Sequence, residues 1–195
     1  AGFVFAIREI ILNLFCGLYI GFSKPFKVED RIEINGLKGD VIGASLWGFD
    51  VLEVSNKYEN GQSTGVVVHF PNSIVVKEPI KNNTKVFKYI WNELEIKIKL
   101  SSDLKKNKRE IYKIINNIEV VKRIPNKMKN AINKVNTTYR VYYNNYEPII
   151  YTKVTDEYVL LSLRYLIHPK KARYVESVIW NKIYESFLKG NIDLY

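Results

Sequence analysis

The sequence predicts an apolar N-terminal helix followed by a small β-domain and a mixed α+β domain. Three observations lead to this prediction. Residues 1–22 are strongly apolar, residues 26–85 alternate polar and apolar side chains between glycine-containing turns, and residues 86–195 combine alternating strands with amphipathic helices. The 195 residues, 47% of them hydrophobic, suffice for one sizeable core or two small ones. The predicted domains are therefore residues 1–25, 26–85 and 86–195.

The charge of the chain is concentrated in its middle. Lys and Arg number 30 against 20 Asp and Glu, which gives a net charge of +10. Residues 77–134 hold 16 of these cations and 6 of the acidic residues. This stretch is typical of a solvated basic face, and it lacks the aromatic interleaving of a single-strand binder. We therefore expect no nucleic acid as a partner.

Residues for catalysis or metal binding are sparse. Cys16 is the only cysteine, and His69 and His168 lack the spacing of metal ligands. The sequence has no glycine-rich phosphate loop and no HExxH. We expect no enzymatic activity, no metal site and no cofactor.

The first segment has the length of a membrane helix. Residues 1–22 would form a helix of about 33 Å, and a bilayer core is about 30 Å thick. Arg8, Glu9 and Asn13 fall on one face of it. Charged residues in a membrane helix normally face a water-filled path, so this pattern is typical of a pore-lining helix. An amphipathic helix packed on a soluble core would show the same pattern, and this segment alone leaves both interpretations open.

The residues after this helix indicate its orientation. Gly17 is one of two glycines in its last part, where it allows either close packing or a kink. Pro25 disfavours helix at Lys24 and marks a boundary. Lys24 and Lys27 follow the apolar segment directly, and the positive-inside rule then places residues after about 25 in the cytoplasm.

The middle segment changes from a helical period to a period of two. Turn signals lie at Asn35-Gly36, Asn60-Gly61 and Pro71-Asn72-Ser73. Between them the alternation predicts a series of short strands: 28–34, 41–42, 49–54, 66–70 and 74–76. Strands at this spacing predict a small barrel or sandwich of about 55 residues.

The last segment predicts the element order β-α-β-β-β-α. Its first strand is centred on 94–100, and a helix containing Ile111 and Ile115 follows the capping residues Ser101-Ser102-Asp103. The remaining predicted elements are strands at 138–143, 149–155 and 158–167, a helix that begins near Pro169 and ends at Gly190, and a terminal strand at 192–195. This order suits a ferredoxin-like open sheet with two helices on one face.

Four short motifs, in this order, resemble the signature of MscS-type (small-conductance) mechanosensitive channels. They are Asn13-Leu14 with Gly17, the stretch Lys24-Pro25-Phe26-Lys27-Val28-Glu29-Asp30-Arg31-Ile32, Gly39-Asp40-Val41, and Phe70-Pro71-Asn72-Ser73. The resemblance implies a homoheptamer whose pore-lining helices surround an ion path above an Sm-like β-barrel domain and a vestibule domain. It also implies two sets of structural residues: a helix-to-β-domain junction at Lys24, Pro25, Phe26 and Asp30, and a β-domain motif at Gly39, Val41, Pro71, Asn72 and Ser73.

The resemblance assigns the remaining site residues. It implies a hydrophobic pore gate at Ala1 and Phe5, pore-facing polar side chains at Arg8 and Glu9, and a helix hinge at Gly17. Glu9 stands at the family's other hinge position, where glycine is usual. The implied trigger is membrane tension in the cell membrane, and the implied partners are other copies of the chain, lipid and permeating ions.

Two departures and two alternatives accompany this interpretation. Glu29 stands where the family has glycine, and Asp50 replaces a residue that commonly carries a hydroxyl group. A soluble, basic Sm-like and ferredoxin-like RNA-binding module is the alternative from a different class. Residues 1–22 count against it, because a soluble RNA binder has no use for so apolar a segment. A lipid-responsive scaffold of the same family, with little conductance, is the other alternative.

Overall fold

The computed structural model describes residues 2–55, 61–135 and 143–195, and it leaves undescribed the side chains of residues 2–6 and 134–135. The chain divides into two compact units, Ala1–Val86 and Phe87–Tyr195. Each unit has its own hydrophobic core.

The first unit consists of one long helix and an antiparallel sheet. Its elements are α1 (Gly2–Ser23), β1 (Arg31–Ile34), β2 (Leu37–Ala44), β3 (Gly48–Val54), β4 (Ser63–Pro71), α2 (Ile74–Lys77) and β5 (Lys81–Asn82). The strand order is β4-β3-β2-β1-β5, so β4 and β5 are the two edges. The residues predicted to form the β-domain thus contain a five-stranded antiparallel sheet. In the part of the chain that the structure describes, no helix combines the length and the apolar character needed to span a membrane.

Three phenylalanines from distant positions form the centre of the first core. The ring centroid of Phe49 lies 4.7 Å from that of Phe26 and 5.4 Å from that of Phe70. Phe49 is fully buried on β3, and Ile20 of α1 joins the same cluster. A Phe buried in this way contributes several kcal/mol to folding, about 3–5 kcal/mol by the cost of truncation to Ala. The helix is therefore attached to the sheet through a shared core.

One strand predicted in this unit is wrong. The apolar run 74–76 forms the short helix α2 instead of a strand. Ser73 already has helical dihedral angles, φ −59° and ψ −17°, and the Glu78 N–H donates to the Ile74 carbonyl at 2.9 Å. Asn72 is buried and hydrogen-bonded to the opposite loop, so the chain turns at this point. A β-branched run of three residues is too short to override that turn.

The second unit is an antiparallel three-stranded sheet packed against helices. Its elements are β6 (Ile90–Lys99), α3 (Leu104–Asn116), α4 (Glu119–Lys122), α5 (Ile124–Val135), β7 (Ile149–Val154), β8 (Tyr158–Ile167), a 3₁₀ turn (Pro169–Lys171) and α6 (Ala172–Leu188). The strand order is β6-β8-β7, and Leu194 forms an antiparallel bridge with Ile98 beside β6. A ferredoxin-like sheet has this order, with the bridge at the place of the fourth strand.

Two predictions for the second unit need comment. The predicted strand at 138–143 lies outside the described residues except for Tyr143, which is not in a strand. The helices α4 and α5 were not predicted, although Val121, Ile124, Met128 and Ile132 are spaced for a helix and are buried in the core. The lysines interspersed between these apolar residues make the segment resemble a solvated basic face, which masks the apolar period.

The helix boundaries of this unit follow the predicted signals. The Asp103 side chain caps α3 by accepting the Lys105 and Lys106 N–H groups at 2.8 and 3.0 Å. These backbone hydrogen bonds, that of Lys106 above all, stabilise the carboxylate and lower the pKa of Asp103. Gly190 ends the last helix with φ +70°, the left-handed conformation that glycine adopts without strain.

A buried polar pair fixes the middle of the second core. Tyr165 has no exposed surface, and Asn92 Nδ2 donates to its hydroxyl oxygen at 2.9 Å. Burial raises the pKa of Tyr165 to about 12, and the Asn92 hydrogen bond opposes this only in part. The hydroxyl therefore stays neutral throughout the physiological pH range.

Candidate functional site: the junction of the first helix and the β-domain

One face of α1 packs on the β-domain. Asn13, Cys16, Gly17 and Ile20 follow the i, i+3, i+4, i+7 spacing of a single helical face. Cys16 and Ile20 are only 3% and 7% exposed. Large apolar side chains remain exposed on the rest of the helix: Ile10, Ile11, Phe15, Leu18, Tyr19 and Phe22. The helix thus uses a narrow, partly polar face for the sheet and leaves its most apolar surface uncovered in the isolated chain.

Asn13 connects the helix to two separate loops of the β-domain. Its Nδ2 donates to the carbonyl of Trp47 at 2.7 Å, and its Oδ1 accepts from the N–H of Ser73 at 2.9 Å. Trp47 lies in the connection between β2 and β3, and Ser73 precedes α2. The Asn13 side chain therefore fixes the helix against both loops, through its NH₂ group on one side and its carbonyl oxygen on the other.

Asn72, in the loop before α2, connects that loop directly to the loop between β2 and β3. It is fully buried, and its Nδ2 donates to the carbonyls of Ser45 and Leu46 at 3.1 and 2.8 Å. Leu46 is adjacent to Trp47, so Asn72 and Asn13 act on neighbouring peptide groups. The predicted motif residues Asn72 and Ser73 are thus brought together with Asn13, which comes from 60 residues away.

Gly17 lets the helix approach this loop closely. A Cβ atom at this position would overlap the carbonyl oxygen of Leu46 and would lie 2.7 Å from Nδ2 of Asn72. The backbone carbonyl has little freedom to move, since Asn72 holds it. The helix runs without interruption from Gly2 to Ser23, so in this conformation Gly17 is a packing residue. Its predicted role as a hinge stays a prediction.

The end of α1 leads directly into the core of the β-domain. The Lys24 N–H donates to the Ile20 carbonyl at 3.0 Å, and Lys24 itself has φ +48°. This left-handed residue ends the helix in front of Pro25. Phe26 then places its ring in the core, where it is only 2% exposed. The predicted junction residues therefore form a fixed turn between the helix and the sheet.

Asp30 stabilises that turn with its carboxylate. Oδ2 accepts from the Lys27 N–H and from Asn82 Nδ2, both at 2.9 Å, and Oδ1 accepts from Thr84 Oγ1 at 3.0 Å. Asn82 also donates to the Pro25 carbonyl at 3.3 Å. Sequence reasoning missed Asn82 and Thr84, because only the pairing of β5 with β1 brings them to the junction.

Glu29 has the backbone conformation for which glycine is usual. Its φ is +78°, and its N–H donates to the Val41 carbonyl at 2.8 Å, so the strained conformation is fixed by the sheet. Glu29 therefore occupies a position whose backbone conformation favours glycine. A non-glycine residue in this region carries about 1–3 kcal/mol of strain.

Glu29→Gly is expected to stabilise the first unit by about 0.5–1 kcal/mol, because relief of strain exceeds the larger entropy that glycine has in the unfolded chain. Chemical denaturation of the purified protein measures this change. Val28→Gly is the matched control, since Val28 has no positive φ and its replacement should be destabilising. A lower stability of Glu29→Gly would contradict the assigned strain.

The predicted Gly39 and Val41 belong to the sheet itself. A Cβ at Gly39 would overlap the Val51 side chain and lie 2.6 Å from the Leu52 carbonyl oxygen on β3. Val41 is 1% exposed, and the ladder has a bulge between Val41 and Gly43. Both residues shape the β2–β3 pair on which the loop at 45–47 depends.

The predicted polar residues of the helix have different surroundings. Glu9 Oε2 lies 3.0 Å from Nζ of Lys77 on α2, and both side chains are well exposed. Arg8 is exposed. Ala1 lies outside the described residues, as does the side chain of Phe5, whose backbone is helical. The gate and the pore-facing roles stay predictions.

Asp50, the second departure from the family pattern, pairs with a side chain of the neighbouring strand. Asp50 on β3 stands opposite His69 on β4, and Oδ1 of the aspartate lies 2.8 Å from Nδ1 of the imidazole. Both side chains are exposed, so the pair contributes little, within about 1 kcal/mol.

The fold and the junction define a chain in which a helix is attached to an antiparallel β-domain and a ferredoxin-like α+β unit follows. Residues 9–85 match the family model described as mechanosensitive ion channel, beta-domain. The match begins in α1 and ends after β5, so it contains the whole junction. The resemblance to MscS-type mechanosensitive channels that the motifs predict is thus confirmed by the comparisons.

Known proteins show the same relationship. The chain is 31% identical over 99 residues to the mitochondrial mechanosensitive ion channel protein 1 of Arabidopsis thaliana, a match covering 51% of this chain and 18% of that protein. The Helicobacter pylori MscS crystal structure, in its closed state, superposes on the whole chain with a TM-score of 0.70 at 16% identity. Wild-type Arabidopsis MSL1 superposes on the whole chain with a TM-score of 0.63 at 18% identity.

These relatives are longer than this chain, which covers 65% of the Helicobacter pylori chain and 59% of the MSL1 chain. At these identities the superpositions establish a shared fold. The comparisons do not favour the alternative of an RNA-binding module.

Proposed function

We propose that this chain is a subunit of a homoheptameric mechanosensitive ion channel. Membrane tension opens the pore through a hydrophobic constriction, and ions and osmolytes leave the cell under hypo-osmotic stress. The observation that carries the proposal is the junction, where Asn13 and Gly17 fix the helix to the loops at 45–47 and 72–73. This junction lies within the residues that match a channel β-domain.

Self-assembly explains the surfaces that the isolated chain leaves uncovered. Phe15 and Phe22 of α1 are 64% and 84% exposed, which is unusual for aromatic side chains in a monomer. The edge strand β4 carries Val66 and Val67 at 52% and 53% exposure. An uncharged, valine-containing edge is a site for pairing with another chain. Packing of helices around a central path covers the first surface, and contact between β-domains covers the second.

The gate in this proposal is a ring of Phe5 side chains. Ala1 and Phe5 are four residues apart, a spacing that would place both on one face of a helix. Of the two, Phe5 is the larger, so a ring of its side chains forms the narrowest point. A narrow apolar ring excludes water and therefore hydrated ions. Arg8 and Glu9 follow on the cytoplasmic side of this ring as polar residues of the path.

Tension acts by a shift between two states. The open state has the larger area in the plane of the membrane. Stretching the membrane therefore favours it, without the binding of any ligand. The junction makes the helix and the β-domain move as one body, since Phe26, Asn13 and Ile20 are held in or against the sheet.

The location in this proposal is the cell membrane, with residues after about 25 on the cytoplasmic side. Lys24 and Lys27 favour this side through the positive-inside rule. The relative in Arabidopsis thaliana is a mitochondrial channel by name. In a mitochondrial inner membrane the same rule would place these residues in the matrix.

The test combines an oligomer count with recordings under graded suction. The full-length protein in detergent should contain seven copies by native mass spectrometry. Reconstituted in liposomes, it should open at a defined suction. Phe5→Ser should open at clearly lower suction, because a hydroxyl ring no longer excludes water.

Phe3→Ser is the matched control, since residue 3 lies about 200° around the helix from residue 5 and faces away from the gate. We expect its threshold to stay near that of the unmodified protein. A count other than seven would overturn the heptamer. Equal thresholds for the two variants would overturn the gate, and the absence of any suction-evoked current would overturn the channel.

A further inference from the structure

A concave site in the second unit is separate from the junction and has its own chemistry. It is a cavity of about 330 Å³ formed by the start of β6, by α4 and α5, and by the turn after β8. Its lining residues are Tyr89, Glu119, Val120, Arg123, Ile124, Lys127, His168 and Lys171. The volume is at the lower end of the range for small-molecule sites, about 300–1,000 Å³.

The charges around this cavity leave a surplus of two cations. Arg123, Lys127 and Lys171 contribute three positive charges, and Glu119 contributes one negative charge. Glu119 is already engaged, since its Oε2 accepts from Arg123 Nη2 at 2.7 Å and from Nε at 3.0 Å. The Glu119 carboxylate thus balances the charge of the Arg123 guanidinium. Lys127 and Lys171 then make the electrostatic potential of the cavity positive. A group with two negative charges balances this surplus.

The walls of the cavity are apolar and flat. Val120 is 38% exposed beside the buried Ile124, so an apolar surface is open to solvent within the cavity. The rings of Tyr89 and His168 meet edge to face, with centroids 6.5 Å apart and planes at 86°. His168 Nδ1 accepts the Lys170 N–H at 3.2 Å, which fixes the ring and places the proton of the neutral imidazole on Nε2. A flat organic group fits such walls better than a bare inorganic ion does.

We propose that this cavity binds a small organic phosphate, a phosphate monoester attached to a flat or apolar body. Lys127 and Lys171 bind the phosphate dianion as two point charges, and Val120, Ile124 and Tyr89 contact the body. A solvated basic surface would hold the same lysines without a concave, partly apolar cavity that both of them line. This ligand site does not depend on the channel role of the first unit.

The test measures binding to the purified full-length protein in detergent by isothermal titration calorimetry. The probes are adenosine monophosphate, inorganic phosphate and adenosine, so that the two halves of the ligand are separated. We expect adenosine monophosphate to bind most tightly. The double variant Lys127→Ala/Lys171→Ala should lose about tenfold or more in affinity, because each charge-assisted contact contributes more than 1 kcal/mol.

Lys122→Ala/Lys129→Ala is the matched control, with two exposed lysines of α4 and α5 that do not line the cavity. Its affinity should stay within twofold of the unmodified protein. Tyr89→Ala should weaken adenosine monophosphate and leave inorganic phosphate unchanged. No binding, equal affinity for adenosine monophosphate and inorganic phosphate, or equal losses in the two double variants would overturn the proposal.

Discussion

Asp40→Asn is expected to lower the free energy of unfolding of the first unit by about 3–5 kcal/mol, because it removes the carboxylate that pairs with a buried guanidinium. Arg31 and Asp40 face each other across β1 and β2, and their side chains are only 6% and 15% exposed. The contact is bidentate, with Nε 2.9 Å from Oδ1 and Nη2 3.0 Å from Oδ2. Asparagine keeps the shape of the side chain, removes the charge and turns an NH₂ donor towards the guanidinium. Chemical denaturation of the purified protein measures the loss.

A neighbouring ion pair on the same strand is the control for this prediction. Glu33 of β1 lies 2.7 Å from Nζ of Lys81 on β5, but these side chains are 30% and 70% exposed. Glu33→Gln should therefore change stability by less than about 1 kcal/mol. The double variant Arg31→Met/Asp40→Leu, which removes both charges, should recover most of the stability lost in Asp40→Asn. A loss in Asp40→Asn as small as that in Glu33→Gln would show that the buried pair is not coupled to folding.

The pair also matters for the junction. Arg31 directly follows Asp30, whose carboxylate holds the turn between helix and sheet. The backbone N–H of Arg31 is also held in place, since it donates to Thr84 Oγ1 at 3.0 Å. We therefore expect Asp40→Asn to loosen the turn at 24–30 as well as the β1–β2 pair.

Much of the fold could be predicted because it depends on local signals. The alternation in 49–54 and 158–167 is long enough to identify strands β3 and β8, whose faces differ in burial. The turns at Asn35-Gly36 and after Asp103 carry residues whose backbone conformation or side chain dictates a turn or a cap. Such signals operate within a few residues, so they are visible without the rest of the chain.

The site could be predicted only in part, because its contacts join distant residues. Asn13 and Asn72 stand out as motif residues, but their partners are backbone carbonyls and an N–H group, which any residue carries. The apolar run 74–76 predicts a strand, but it forms a helical turn that depends on the buried Asn72. Tertiary contacts decided these positions, and a local pattern does not contain them.

Gly17→Val is expected to destabilise the first unit by about 3 kcal/mol, the upper end for overpacking a closely packed contact. The first carbon of the new side chain already overlaps the Leu46 carbonyl oxygen, and it lies 2.7 Å from Nδ2 of Asn72. Neither group can retreat at little cost, because Asn72 donates to Leu46 and is itself fully buried. Relief therefore requires the helix to move away from the loop, which also stretches the Asn13 hydrogen bond to Trp47. Thermal unfolding in detergent and hydrogen exchange at residues 45–47 measure the two effects.

Gly21→Val separates packing from flexibility. Gly21 lies one turn further along the same helix, and a Cβ there would have no neighbour within 4 Å. Valine should be tolerated at this position with a small gain in stability, because it has a better helix propensity than glycine by a few tenths of a kcal/mol. If Gly17 acts only as a hinge, both variants should leave stability nearly unchanged, and Gly17→Val should alter only the response to suction. If it acts as the close contact that the structure shows, Gly17→Val alone should lose stability and protection at the loop. Equal stability of the two variants would therefore contradict the packing role, and it would return Gly17 to the hinge that its sequence position predicts.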